Sequence, residues 1–239
     1  MEGLVIRGGT HVEVLNVVSL HGGLVQSWPR GAILSGVVRE ALVSHWKDVG
    51  LPAYSQFDND MLFAGTHRHP DAIGSVTRLC LRLGVVPVFA PPRETGFQAG
   101  IESYNGRWQS KVWGRFEHAS LEALQMQSAR YVLASRRRSA VRIEGAPPRR
   151  AFPTEGVPKG PAPNQGRIVY VRRTDEQGSV HLLGRRFVVD TLWPRRLVRC
   201  ELILEQGLLR CYRLRRRDPS DQPLVREIAY VLPRRMLAD

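Results

Sequence analysis

Two carboxylates stand where ligands are usually handled. Asp58 follows the short stretch Tyr54–Phe57, which reads as a strand, and is followed by Asn59 and Asp60. Glu102 lies in the first turn of a helical pattern that starts near Gln98, after the flexible run Arg93–Gly96. Strand ends and helix starts of open α/β sheets are common binding positions. Two carboxylates converging there offer the oxygen ligands that Mg²⁺ prefers while it keeps several waters. Alone, the pair suits plain solvated charges as well. Asp60 is an alternative to Asp58, because alternation along an extended chain points both the same way.

The arginines are the second chemical signal. The net charge is +13, with a pI near 10.7, and only 3 of the 35 basic residues are Lys. Residues 1–135 hold 12 Lys+Arg against 11 Asp+Glu, whereas residues 136–239 hold 23 against 11. A basic half of this kind suits a polyanion, since each neutralised phosphate releases condensed counterions. An Arg-rich solvated surface is the bland alternative. Arg107, Lys111 and Arg115 recur every four residues after Glu102, so a straight helix would put them on one face. Arg136, Arg137 and Arg138 end a helix, where cations also suit the dipole. Arg149-Arg150, Arg172-Arg173, Arg185-Arg186, Arg195-Arg196 and Arg215-Arg216-Arg217 repeat the theme.

The elements that must position these residues follow from hydrophobic spacing. Leu4–Arg7, Val12–Ser19 and Leu24–Trp28 read as a meander, turned by Gly8-Gly9 and His21-Gly22-Gly23. Ile33–Val49 has a stripe at 34, 37, 38, 41, 42, 45 and 46, apolar but for His45, which is helical spacing stopped by Gly50 and Pro52. Tyr54–Phe57 and Val85–Ala90 read as strands around a helix Ile73–Leu83. Helical patterns follow from Gln98, with a break near Gly114, and over Ser120–Arg136. The order βββαβαβαα implies a mixed α/β sheet with flanking helices. Gly145–Gly160 contains seven Pro or Gly, so residues 139–165 read as a linker. Beyond it lie short strands: Arg167–Arg172, Val180–Leu183, Arg186–Val189, Leu197–Leu204, Leu208–Arg213 and Val225–Tyr230. They suggest a small all-β barrel. The expected division is 1–138, 139–165 and 166–235.

Some classes are disfavoured. No run of 18 uncharged apolar residues exists, so a membrane span is not expected. No basic-then-apolar signal opens the chain. Three cysteines, none in a CxxC pair, point to a reducing compartment and away from structural zinc.

Two segments carry a family resemblance. GLPAYSQFDND (50–60) resembles the strand of integrases and transposases that bears the second catalytic Asp: G-x-P, an apolar strand, then D-N. LGVVPVFAPPRETGFQAGIESYNGRWQSKV (83–112) resembles the family's next block, with an L-G-V strand, a Pro-rich turn and G-x-Q-x-x-I-E-x-x-N. The match spans roughly residues 10–135, and the C-terminal strands resemble the family's small DNA-binding barrel more loosely.

The resemblance implies an RNase H-like core. It also implies Asp58 and Glu102 as catalytic ligands of Mg²⁺ or Mn²⁺, and two-metal phosphoryl transfer on DNA. It implies DNA as partner, a homo-oligomer on paired DNA ends, and a cytoplasmic, nucleoid-associated product of a bacterial insertion element. Asp58 is preferred to Asp60 because it precedes Asn59 as in the family. Two departures stand out. The 43 residues between Asp58 and Glu102 exceed the family's usual spacing, and Met61–Asp71 can hold the excess. The family's first Asp has no counterpart in residues 1–12, where Glu2 is the one carboxylate. By the pattern that Asp falls just upstream of Met1, which would leave the site incomplete and activity weak or absent. A non-catalytic DNA-binding remnant of a transposase is therefore the alternative.

The remaining candidates are lesser ones. His67, His69 and Asp71 form an H-x-H-P-D cluster without a partner at zinc spacing, so an exposed loop is expected, with DNA contact by His67, Arg68 or His69 as a second reading. Arg107, Lys111 and Arg115 would contact phosphates, as would Arg136, Arg137, Arg138, Arg172, Arg173, Arg185 and Arg186. Gln98 and Asn105 would reach bases or sugars. Tyr104, Trp108 and Trp113 read as packing residues.

Overall fold

The structure is a computed structural model that describes residues 4–65, 70–94, 96–215 and 217–237. Its elements in chain order are β1 (Leu4–Val5), β2 (His11–Val18), β3 (Val25–Arg30), α1 (Ser35–Val49), β4 (Tyr54–Phe57), α2 (Met61–Ala64), α3 (Ser75–Arg82), β5 (Val86–Phe89) and α4 (Ala99–Trp108). A π-helical turn, Gln109–Trp113, continues α4 and is followed by α5 (Leu121–Arg138) and α6 (Ala140–Glu144). The strands β6 (Arg167–Arg173), β7 (Ser179–Leu182), β8 (Arg185–Val188), β9 (Leu197–Ile203), β10 (Leu208–Arg213) and β11 (Leu224–Ala229) precede a final 3₁₀ turn, Arg234–Leu237. Glu2, His67, Arg68 and His69, together with Arg216, lie outside the described residues.

Two compact units interleave along the chain. The first joins Met1–Asp48 to Gln98–Arg149, and the second joins Val49–Phe97 to Arg150–Asp239. The division expected from composition runs in sequence order, and the observed one does not.

The first unit is built on the antiparallel sheet β1-β2-β3. Alternation along β2 turns Val12 and Val14 inward, where they meet Val25 of β3 and the α4 residues Tyr104 and Trp108. The two aromatic heads are satisfied as they are buried: the Tyr104 hydroxyl pairs with Ser27 Oγ at 2.7 Å, and Trp108 Nε1 donates to Ser128 Oγ at 2.9 Å. α5 starts at Ser120, whose side chain accepts the Ala123 N–H, and it packs on β3. The β2–β3 turn needs glycine at position 22. Its φ is +78°, and a Cβ there would lie 2.7 Å from the Arg142 carbonyl oxygen.

The second unit is built on a six-stranded sheet in the order β11-β10-β9-β6-β5-β4. β4, β5 and β6 run parallel; β6, β9, β10 and β11 pair antiparallel. The hairpin β7–β8 forms a separate two-stranded sheet. One face buries Phe57, Phe89 and Tyr170, with Phe89 stacked on Tyr170 at 5.2 Å between centroids. α3 places Val76, Leu79, Cys80 and Leu81 in the same unit's core.

This arrangement corrects the expectation of a C-terminal barrel. The strands beyond residue 166 form where the alternation placed them, but they extend a mixed sheet begun by β4 and β5. The reason lies in β6. Ile168–Val171 is buried throughout, so this strand needs neighbours on both edges and material on both faces. It finds β9 on one edge and β5 on the other, with Val88 opposite Val169 and Phe89 opposite Tyr170. The expected linker is also not uniform. α6 lies within it, Leu51 and Arg150 form an isolated bridge, and Ala162 is buried with its N–H on the Leu237 carbonyl.

Candidate functional site

Asp58 is the first residue beyond β4, on the strand end where β4 and β5 run side by side with Phe57 opposite Phe89. One carboxylate oxygen accepts the Asp60 N–H at 3.0 Å. Partial desolvation raises the Asp58 carboxyl above the usual range. The Asp60 N–H bond opposes that shift, and the nearby Asp60 carboxylate adds to it. No guanidinium or ammonium forms an ion pair with Asp58 among the described residues. Asp60 serves the backbone instead. Its side chain accepts the Leu62 N–H at 2.8 Å and caps α2.

Asn59 is locked. Its Nδ2 donates to the Ala90 carbonyl beyond β5, and its Oδ1 accepts from Arg172 Nη2 at 2.5 Å. Arg172 also donates to Val171 O at 2.8 Å and lies 5.2 Å from the centroid of the Tyr170 ring. Burial lowers its pKa from the ordinary guanidinium value. Three strands, β4, β5 and β6, thus converge on the residue beside Asp58.

Glu102 sits in the first turn of α4 and is exposed. It belongs to the first unit, whereas Asp58 belongs to the second. The oxygen donors suit a hard divalent cation in kind. In number they fall short: among the described residues no group of three or more His, Cys, Asp or Glu is arranged to hold a metal ion.

The ten predicted DNA-contacting residues divide into two sets. Arg107, Lys111, Arg115, Arg137 and Arg138 are exposed or half-buried. They do not form the expected straight stripe, because the π turn at Gln109–Trp113 adds a residue to the turn and rotates Lys111 and Arg115 away from the four-residue spacing. The other five are engaged within the protein. Arg136 donates to Val25 O at 2.9 Å and Gln26 Oε1 at 3.0 Å, tying α5 to β3. Arg172 holds Asn59. Arg173 meets Glu94 and the Arg195 carbonyl. Arg185 forms a forked pair with Asp71 at 2.6 and 2.8 Å, and Arg186 meets Asp175 and Gln177. The paired arginines are therefore not a bare track: Arg173, Arg185 and Arg186 each hold an acidic partner, and Arg172 serves Asn59. Asn105 is likewise engaged, accepting from Asn16 Nδ2 at 2.9 Å.

Two clusters do not follow from the sequence, and one is a correction: Asp71, expected with the H-x-H-P-D residues in an exposed loop, is buried. Asp71, buried and with φ of +67°, is held by Arg185 and the Tyr230 hydroxyl. Glu201, also buried, is paired with Arg199 at 2.9 Å and Arg167 at 3.4 Å. Both unite residues from distant segments, and no local motif marks them.

Comparison with known proteins gives little. No family model matches the chain, and no curated protein does. Among solved structures it is similar to a chain of a simian T-cell lymphotropic virus intasome, determined by cryo-EM in complex with PP2A regulatory subunit B56 gamma. The identity is 15%, the TM-score is 0.43, and the match covers 53% of this chain and 49% of that one. The chain thus spans about half the length of the structure it matches. Among the described residues no helix is long and apolar enough to cross a membrane.

Proposed function

We propose that this chain is a DNA-binding protein of the integrase/transposase type, with an RNase H-like core. The observation that carries the reading is the setting of Asp58. It is partly desolvated, has no cationic partner among the described residues, stands at the end of a parallel strand, and adjoins an Asn held from two further strands. That is the D-N segment on which the family resemblance turns. Arg107, Lys111, Arg115, Arg137 and Arg138 supply phosphate contacts, which give affinity without sequence information. Asp58 and Glu102 are the carboxylates proposed to face Mg²⁺ or Mn²⁺, and a homo-oligomer on DNA is part of the same reading. Among the described residues the donors do not complete a metal site, so no step of a reaction is assigned through one. This shortfall favours a second reading, a DNA binder without catalysis.

One experiment separates them. Duplex DNA binding is measured across a salt series, and nicking is followed with and without Mn²⁺. Affinity is expected to fall at least about tenfold between low and moderate salt. Metal-dependent nicking that disappears in Asp58→Asn, with binding retained, supports the enzymatic reading. Binding without nicking by the unaltered chain selects the non-catalytic one, and nicking that persists in Asp58→Asn removes Asp58 from the site. Salt-insensitive affinity would refute the polyanion reading.

A further inference from the structure

The Asp71 cluster borders an open cavity of about 620 Å³ in the second unit, within the range of small-molecule sites. Its walls include Asp71, Arg185, Arg186, Phe187, Tyr230 and Pro233. Each guanidinium is held by a carboxylate, Arg185 across both Asp71 oxygens and Arg186 on the single Asp175 Oδ2, with Gln177 Oε1 beside it. Arg185 gives Nε and Nη2 to the Asp71 carboxylate at 2.6 and 2.8 Å. Arg186 gives Nε and Nη2 to Asp175, at 3.3 and 3.2 Å. Among the described residues, Nη1 of each makes no protein hydrogen bond, so both retain donors for an anion. Asp71 is itself fixed by the Tyr230 hydroxyl and by its own N–H on the Leu183 carbonyl at 2.9 Å. Arg235 is near enough to act on Asp71 electrostatically, which tips the cavity's balance positive. Phe187 and Tyr230 meet edge to face, 5.3 Å between centroids at 86°, and supply an aromatic wall beside the guanidiniums.

We propose that this cavity binds one 5′-phosphorylated nucleotide, its phosphate on the Nη1 donors of Arg185 and Arg186 and its base against Phe187 and Tyr230. Oriented guanidiniums match phosphate oxygens, and aromatic faces accept any base. The site goes beyond the metal reading and does not depend on it.

The test titrates the full chain in EDTA with dAMP, with inorganic phosphate, and with a single-stranded oligodeoxyadenylate. Calorimetry or NMR shifts provide the readout. dAMP is expected to saturate and to bind several-fold tighter than phosphate. Arg186→Gln should weaken dAMP about tenfold. Phe187→Leu should weaken it about three- to tenfold while sparing phosphate. Both variants are checked by thermal melting; Arg185 is left intact because it neutralises buried Asp71. Displacement of dAMP by the oligonucleotide would make a DNA strand the source of the nucleotide, and its failure would make the free nucleotide the ligand; either keeps the site. Absence of saturable dAMP binding at millimolar concentration overturns the proposal. So does equal affinity for dAMP and phosphate, or wild-type affinity in both folded variants. Because metal is absent, these outcomes stand apart from the nicking assay.

Discussion

Asp58 and Asp71 lie in the same unit, only 13 positions apart in the chain, yet their surroundings oppose each other. Asp71 is buried, and a forked Arg185 pair with the Tyr230 hydroxyl lowers its pKa; the Arg185 bond is the largest cause. Among the described residues Asp58 has no such cation, and desolvation raises it. Asp71 is occupied with holding together the segment before α3, the β7–β8 hairpin and the end of β11. Asp58 is partly desolvated and accepts a single backbone N–H, from Asp60, among the described residues, the setting on which the proposed metal role rests.

The comparison breaks most visibly at Arg185. Arg185→Ala leaves Asp71 buried without its counter-charge, and the melting temperature at pH 7 is expected to fall by about 5–10 °C in calorimetry. A fall of less than a degree or two would mean that the pair is not structural.

His45 sharpens the contrast with a base in place of an acid. It is buried against Trp28, its Nδ1 has no partner among the described residues, and burial, reinforced by Arg136 and Arg149, lowers its pKa to about 4 from 6.5. A depressed pKa means that the folded state binds fewer protons than the unfolded state between those values. The neutral His45 contribution is therefore complete above pH 6.5 and is lost as pH falls toward about 4. The loss is on the order of 2–3 kcal/mol. Chemical denaturation at pH 7 and pH 4.5 measures it, and His45→Phe should remove this part of the pH dependence. An unchanged acid slope in that variant would exonerate His45.

The smallest effect is expected at Asp58. Its raised pKa means that the ionised form burdens the fold at neutral pH and that the burden is relieved as pH falls through the folded value. Asp58→Asn should leave the melting temperature unchanged or raise it by about 1–2 °C. A marked fall would make Asp58 a structural residue like Asp71.

Much of the fold was legible because it rests on local periodicity. The β6 and β9–β11 strands fall within a residue or two of their expected limits, and α1 buries Val38, Ala41, Leu42, His45 and Trp46 from the predicted stripe. Pairing across distance was not legible. Nothing local in Val86–Phe89 announces that Arg167–Arg173 will lie parallel beside it, so turn signals alone suggested a closed barrel. The π turn has no signature in Gln109–Trp113, which is why the basic stripe looked straight. At the candidate site, the D-N pair marked Asp58. The role of Arg172 did not show, because its charge resembled a phosphate contact while its geometry serves Asn59.

The parallel pairing of β5 with β6 has a kinetic consequence. Residues 98–149, which belong to the other unit, must be synthesised before β6 can reach β5. During translation, the β6-facing edge of β5 therefore waits unpaired while an entire helical segment emerges. Such a long-range closure slows folding and leaves strand edges open to wrong partners. Cutting the chain near residue 165 would make that waiting state permanent: it would leave β5 with β4 alone and strip β6 of one of its two edges.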